Sequence, residues 1–404
     1  MRYVFFLFCF LNLYAPVSAN ITFAFDILLF VYVNSKTDKI IIERGAYKFV
    51  PWVLLFISIM AVYFTREPKT DYTVIGTYLR MLVNCIVFPS IIVFFLRKKV
   101  DVLQILSLVL VLHCTMVLIQ LAVPSLQELN ALLFRFERDV EILEFYSFRR
   151  LGLTGGFDLS ALYAVLSVVL ALEDYLINSR RISLFVFLIS FLASLFTSRT
   201  GMVVSAIAVV TCIQINYKRM KGRVRFVSLI TIVVASLAVF YFILPIVLTS
   251  FDINYGSRLS GLEDQYDTET FSYLSNYHLN PLDYLNTREL FWGYGCSVSK
   301  TERLWHGSDI GYIRQIYHVG LIGVALIIYF CYRCVYLTNK RCKKYRKNSK
   351  MILGRQLMWL LLIIYIVFNY KNELMYSICS FEVFLIIYWV MYYYSDVYRE
   401  KIVI

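Results

Sequence analysis

The chain has 404 residues, of which 60% are hydrophobic and 17% charged, with a formal net charge of +13. The basic excess does not point to nucleic acid, because it collects in short gaps between apolar runs, where topology and anionic lipid headgroups account for it. No soluble domain is apparent, since the longest gap is about 60 residues, near the lower limit for an independently folding unit.

Taken in order, the apolar runs are about 15 to 25 residues long, and a helix needs roughly 20 to cross a bilayer core of about 30 Å. They predict about twelve spans, all helical, within a single transmembrane domain covering residues 1–404. The spans begin near Tyr3, Ile21, Tyr47, Tyr72, Val102, Phe157, Ile182, Thr200, Phe226, Tyr312, Ile352 and Leu374. The first begins after Arg2. Its apolar run and the small residues around Val17-Ser18-Ala19 resemble a cleavable signal peptide, but an uncleaved span interrupted near Pro16 is the preferred expectation. Either choice leaves the second span running inward.

The gaps alternate in character. Lys36 to Lys48, Arg97-Lys98-Lys99, Arg180-Arg181, Lys218 to Arg225 and Lys340 to Lys350 are short and basic. By the positive-inside rule they are cytoplasmic, as are both termini, with Arg2 at one end and Arg399 and Lys401 at the other. The nine cysteines are scattered. Cys331 and Cys334 form a C-x-x-C near the cytoplasmic end of an apolar helix without a second pair, which indicates neither a redox nor a zinc site. Cys296 is the one cysteine in an outer gap, so no intrachain disulfide is expected there.

Two outer gaps are long, at about residues 124–156 and 250–309, and long loops in a compact bundle are usually functional or disordered. In the first, Leu129, Leu132, Leu133, Phe136, Val140 and Leu143 recur at helical spacing, with Glu128, Arg135, Arg138, Asp139 and Glu141 on the polar side. This predicts a helix on the membrane surface, packed against the bundle. The second loop carries many rings, from Phe251 to Trp305, and a cluster of Glu263, Asp264, Asp267 and Glu269. Rings beside carboxylates suit a sugar, whose C–H faces stack while its hydroxyls need acceptors; an interfacial aromatic belt is the alternative.

Arginines mark the outer side. Arg149 and Arg150 precede the sixth span, Arg199 lies in the turn Ser198-Arg199-Thr200-Gly201, and Arg258 and Arg288 are in the second loop. Arg314 is about one turn into the tenth span and Arg80 about two turns into the fourth. An ionised group in hydrocarbon costs at least ~2.5 kcal/mol, so Arg80 must face protein or water. Several guanidinium groups around one cavity would hold a diphosphate without a metal, each binding phosphate through its fork. For each arginine singly, snorkelling or a structural salt bridge is the alternative. The histidines His113, His278, His306 and His318 are too dispersed for a metal site, and His113 in mid-span is expected to be a satisfied interior histidine. No phosphate-binding glycine loop is present, and no cofactor is implied.

Four motifs resemble one family. Trp305-His306-Gly307-Ser308-Asp309-Ile310-Gly311-Tyr312, followed by Gly320-Leu321-Ile322-Gly323, resembles the opening of a late helix in Wzy-type O-antigen polymerases. Ser198 to Gly201, Leu290-Phe291-Trp292-Gly293-Tyr294-Gly295 and the Arg-Leu-Gly at Arg150 are similar to that family too. The architecture corresponds from end to end, while the motifs are short and fall mostly in the second half. An R-x10-G motif reported in some members is not matched at any outer arginine. The related O-antigen ligases carry a histidine three residues before the tyrosine, where this chain has Asp309, which favours polymerase.

The resemblance implies a metal-independent glycosyltransferase of the bacterial inner membrane, with two long periplasmic loops. It joins undecaprenyl-diphosphate-linked oligosaccharide repeat units, with membrane lipids and a chain-length regulator as the other implied partners. Asp309 is the candidate base, with Arg199 and Arg150 as its catalytic companions. Arg149, Arg258, Arg288, Arg314, His306, Tyr312 and Arg80 are candidates for substrate binding. A ligase, a lipid-linked oligosaccharide flippase and a small-molecule permease are the alternatives; the last two would be expected to show internal repeats, which are not found.

Overall fold

The computed structural model describes residues 1–15, 19–36, 72–133, 149–154, 156–178, 180–216, 285–293, 311–343, 349–371 and 378–402. Within them the protein is all-α. The helices are α1 (Arg2–Tyr14), α2 (Ala19–Ser35), α3 (Tyr72–Arg97), α4 (Val102–Ala122), α5 (Ser125–Leu133) and α6 (Phe157–Asn178). They continue as α7 (Arg181–Leu195), α8 (Arg199–Asn216), α9 (Thr287–Trp292), α10 (Gly311–Cys342), α11 (Ser349–Lys371) and α12 (Ile378–Ile402). The predicted span starts at Tyr47, Phe226 and Leu374 lie outside the described residues. Every other predicted start falls within about one turn of a helix start. Among the described residues, four segments are long and apolar enough to cross a membrane: Gly76–Arg97, Val102–Ala122, Phe157–Asn178 and Tyr312–Cys342.

Polarity runs inside out relative to a water-soluble bundle, which is the physical mark of a lipid-facing protein. On α7, Ile182 is 71% and Phe185 63% exposed, and Leu188 and Leu192 continue the same outward stripe. Ser183, Ser190 and Ser194 of that helix point inward instead. The Ser190 hydroxyl meets the Ser167 hydroxyl of α6 at 2.7 Å, the small-residue contact that lets membrane helices approach closely. At the centre, Ser160 through Glu173 of α6 are buried, and Val383 through Tyr393 of α12 show almost no surface.

Hydrogen bonds register the helix ends. Asn216 of α8 donates to Glu173 of α6 at 3.0 Å and accepts from Gln356 of α11 at 3.2 Å. Arg180 approaches Asp174 at 4.0 Å. Arg2, Asp101, Asp174 and Arg180 line one cavity of about 710 Å³ between α1, α4, α6 and α7. The N-terminus and the basic gaps around Lys99 and Arg180 therefore share one end of the bundle.

The surface helix is only partly as expected. Within Ser125–Leu133 the side turned to the bundle is polar, through buried Gln127 and Asn130, while Leu129 and Leu133 are exposed. The leucines face outward because the bundle surface below offers hydrogen-bonding groups rather than an apolar groove. The continuation through Phe136, Val140 and Leu143 lies outside the described residues.

Candidate functional site

At the end opposite the basic gaps, Arg149-Arg150-Leu151-Gly152 forms a loop held from all sides. Gly152 has φ 59°, and a Cβ there would lie 2.4 Å from the His113 ring, so only glycine fits. Its N–H donates to Gln120 Oε1 at 2.9 Å, and its carbonyl accepts from Gln120 Nε2 at 3.0 Å and Asn130 Nδ2 at 2.7 Å. The Leu153 amide donates to His113 Nδ1 at 3.1 Å. That bond assigns the proton to Nε2, which lies 3.1 Å from both the carbonyl and the hydroxyl of Ser160. His113 also stacks on Tyr14, with centroids 5.9 Å apart. It is a satisfied interior histidine, as its mid-span position suggested.

This frame positions Arg150. Its amide donates to the Phe196 carbonyl at 2.7 Å, and its carbonyl accepts from the Ser160 hydroxyl at 3.2 Å. Its Nη1 donates to Gln127 Oε1 at 3.2 Å and to the Arg149 carbonyl at 3.1 Å. Burial lowers the guanidinium's pKa from its ordinary value, yet an arginine remains charged in a protein. Arg149 is half-buried, with its guanidinium 5.9 Å from the centre of the Phe157 ring.

The bond to Phe196 brings the loop against the turn that opens α8. Ser198 is the helix cap, its hydroxyl accepting from the Gly201 amide at 3.0 Å, as N-terminal serines do. A Cβ on Gly201 would come within 2.7 Å of the Ala161 Cβ. Two of the four residues in Ser198-Arg199-Thr200-Gly201 therefore serve capping and close packing. Arg199 is the first residue of α8, three residues beyond Phe196, whose carbonyl accepts from the Arg150 amide. Its side chain, together with Arg258, His306 and Asp309, lies outside the described residues.

The late motifs meet one another. Asn286 caps α9 in a reciprocal pair with Glu289, both bonds 2.9 Å. After α9 the chain turns at Gly293 and fits into a break in α10 at Gly320. A Cβ on Gly293 would lie 2.6 Å from the Gly320 nitrogen, and one on Gly320 would lie 2.2 Å from the Phe291 oxygen. The Phe-Trp-Gly and Gly-Leu-Ile-Gly segments thus form one glycine-to-glycine joint. Arg288 is exposed on α9 and Arg314 is half-buried on the first turn of α10. The Tyr312 hydroxyl donates to the Ile366 carbonyl of α11 at 2.9 Å. Gln315 and Asn369 exchange amide bonds of 3.2 and 3.0 Å.

Arg80 has a different setting from the other arginines. It is buried against Glu382 of α12, with Nε 2.9 Å and Nη2 2.8 Å from the same carboxylate oxygen. The requirement that Arg80 face protein is met, through an ion pair with Glu382. Glu382 was not anticipated, nor were Asp26, Asn12 and Asn84 beside it; the available signal was a lone carboxylate inside an apolar run. Comparison of the sequence with profiles of known protein families gives no match, and comparison with curated proteins gives none either.

Proposed function

We propose that this chain is an O-antigen polymerase, a glycosyltransferase of the bacterial inner membrane acting at the periplasmic face, with both termini in the cytoplasm. The observation carrying the proposal is the Arg149–Arg150 loop, pinned by Gly152 and bonded to the turn that presents Arg199. A hydroxyl of the incoming lipid-linked repeat attacks the anomeric carbon of the growing glycan. The bond from that carbon to the diphosphate breaks, undecaprenyl diphosphate leaves with the electron pair, and the hydroxyl proton passes to a base, assigned to Asp309. Fixed guanidinium groups stabilise the charge that develops on the diphosphate. Arg150 is suited to this because its loop is already ordered and no reorganisation is needed as the charge forms.

The test is the banding pattern of lipopolysaccharide from cells carrying the gene deletion and single variants. Deletion is expected to leave a single repeat on the lipid core; loss of every repeat would indicate a ligase or flippase instead. Arg150→Ala and Arg199→Ala are each expected to cut polymerisation by about 100-fold, the usual cost of one preorganised donor. Lysine should rescue only in part, lacking the bidentate fork. Asp309→Asn would still cap a helix but take no proton, so loss of polymer at normal protein level supports the base. Near-normal polymer from it moves the search to His306 or Glu302.

Orientation is tested separately. In a Cys296→Ser background, an impermeant thiol reagent applied to intact spheroplasts is expected to label Glu263→Cys and Asn286→Cys but not Lys221→Cys or Lys344→Cys. Labelling at the two lysine positions would reverse the topology.

A further inference from the structure

We propose that Asp26 and Glu382 hold one exchangeable proton between them in the interior of the bundle, beside Arg80. Four helices bring the participants together. Asn12 of α1 donates to Asp26 Oδ1 of α2 at 2.8 Å. On Glu382 of α12, Oε1 accepts from Arg80 Nε at 2.9 Å and from Asn84 Nδ2 at 2.8 Å, both from α3, and pairs with the Arg80 charge at 2.8 Å from Nη2. All five residues are buried: Asn12 and Asp26 are fully enclosed, and Arg80 is the most exposed at 7%.

Among the described residues, the charge count does not close. Two carboxylates face one guanidinium. The donors all converge on one oxygen of each carboxylate, leaving Asp26 Oδ2 and Glu382 Oε2 without a hydrogen-bond partner. The amide oxygens Asn12 Oδ1 and Asn84 Oδ1, each on a side chain already bonded to one of the two carboxylates, also lack a partner. The surplus is therefore of acceptors and of negative charge. An uncompensated charge in such surroundings costs several kcal/mol, whereas one proton cancels it and turns an acceptor into a donor. The remaining titratable groups that reach the pair are the thiols of Cys9 on α1 and Cys379 on α12 and the phenol of Tyr163 on α6. All three are neutral in their ordinary protonated forms and supply no counter-charge. The proposed glycosyl transfer is assigned to Arg150, Arg199 and Asp309, none of which belongs to this cluster.

The folded chain would then bind one proton more than the unfolded chain, so stability must fall as pH rises. With purified full-length protein in nanodiscs, wild-type Tm is expected to drop from mildly acidic to mildly alkaline pH, with a slope of about one proton per chain. Asp26→Asn keeps the shape and removes the exchangeable proton, so it should lose that slope and the infrared C=O band of a buried carboxylic acid. Equal slopes in the two proteins, or no acid band in the wild type at neutral pH, would overturn the proposal. So would a rise in wild-type Tm when sodium replaces choline at constant ionic strength, if Asp26→Asn abolishes it, since a metal ion would then be the occupant. Should Asp26→Asn fail to accumulate, the pH titration of the acid band in the wild type decides alone.

Discussion

Gly320→Ala is expected to destabilise the protein by about 3 kcal/mol or more and to abolish polymer. Two costs add. Gly320 has φ 68° and ψ 176°, a backbone region that is essentially reserved for glycine and costs other residues about 1–3 kcal/mol. The new Cβ would also lie 2.2 Å from the Phe291 oxygen, 2.4 Å from its carbonyl carbon and 2.5 Å from the Gly293 nitrogen. Those atoms are backbone, so no side chain can swing aside, and overpacking of this kind adds about 1–3 kcal/mol. Relief requires α9 to leave the break in α10, which uncouples Thr287–Gly293 from the late helix. Gly76→Ala is the control, because a Cβ there meets nothing within 4 Å. Thermal unfolding of the purified variants by tryptophan fluorescence reads the difference. A Gly320→Ala protein with the wild-type Tm would show that the joint is not rigid.

The all-α, membrane-helix character was legible in the sequence because it rests on the cheapest signal, uninterrupted apolar length. Helices begin at Tyr72, Val102 and Phe157, where the runs begin. Arg80 was legible in half: the cost of a charge in hydrocarbon demands a protein partner, but nothing local names Glu382, some 300 residues away in the chain. Asp26 and Glu382 passed unnoticed for a related reason. One carboxylate barely alters a long apolar window, and its meaning appears only when four helices assemble. The Gly-Leu-Ile-Gly and Phe-Trp-Gly segments were visible as motifs, whereas their function as two halves of one joint depends on φ values that sequence does not display. For α5 the helix was legible over Ser125–Leu133, whereas the polar inner face made by Gln127 and Asn130 was not. In a membrane the leucines need not seek the core, so Gln127 and Asn130 take the inner face to hold Arg150 and Gly152.

Arg80→Ala is expected to cost about 3–5 kcal/mol, the penalty for leaving a buried partner charge uncompensated. Glu382 would lose the guanidinium's hydrogen bond and charge and keep Asn84, while facing Asp26 across the same cluster. Acid should restore part of the loss, because protonating the second carboxylate removes the repulsion. The companion is Arg80→Met combined with Glu382→Met. Replacing a whole buried ion pair by apolar side chains of similar volume is often neutral or stabilising, so the double variant should unfold well above Arg80→Ala. With the single variants Arg80→Met and Glu382→Met added, the coupling in the cycle measures the pair itself. The same proteins separate the two roles considered for Arg80. If it is structural, the double variant regains both Tm and polymer. If it binds substrate, the double variant regains Tm alone, and lipopolysaccharide stays at a single repeat.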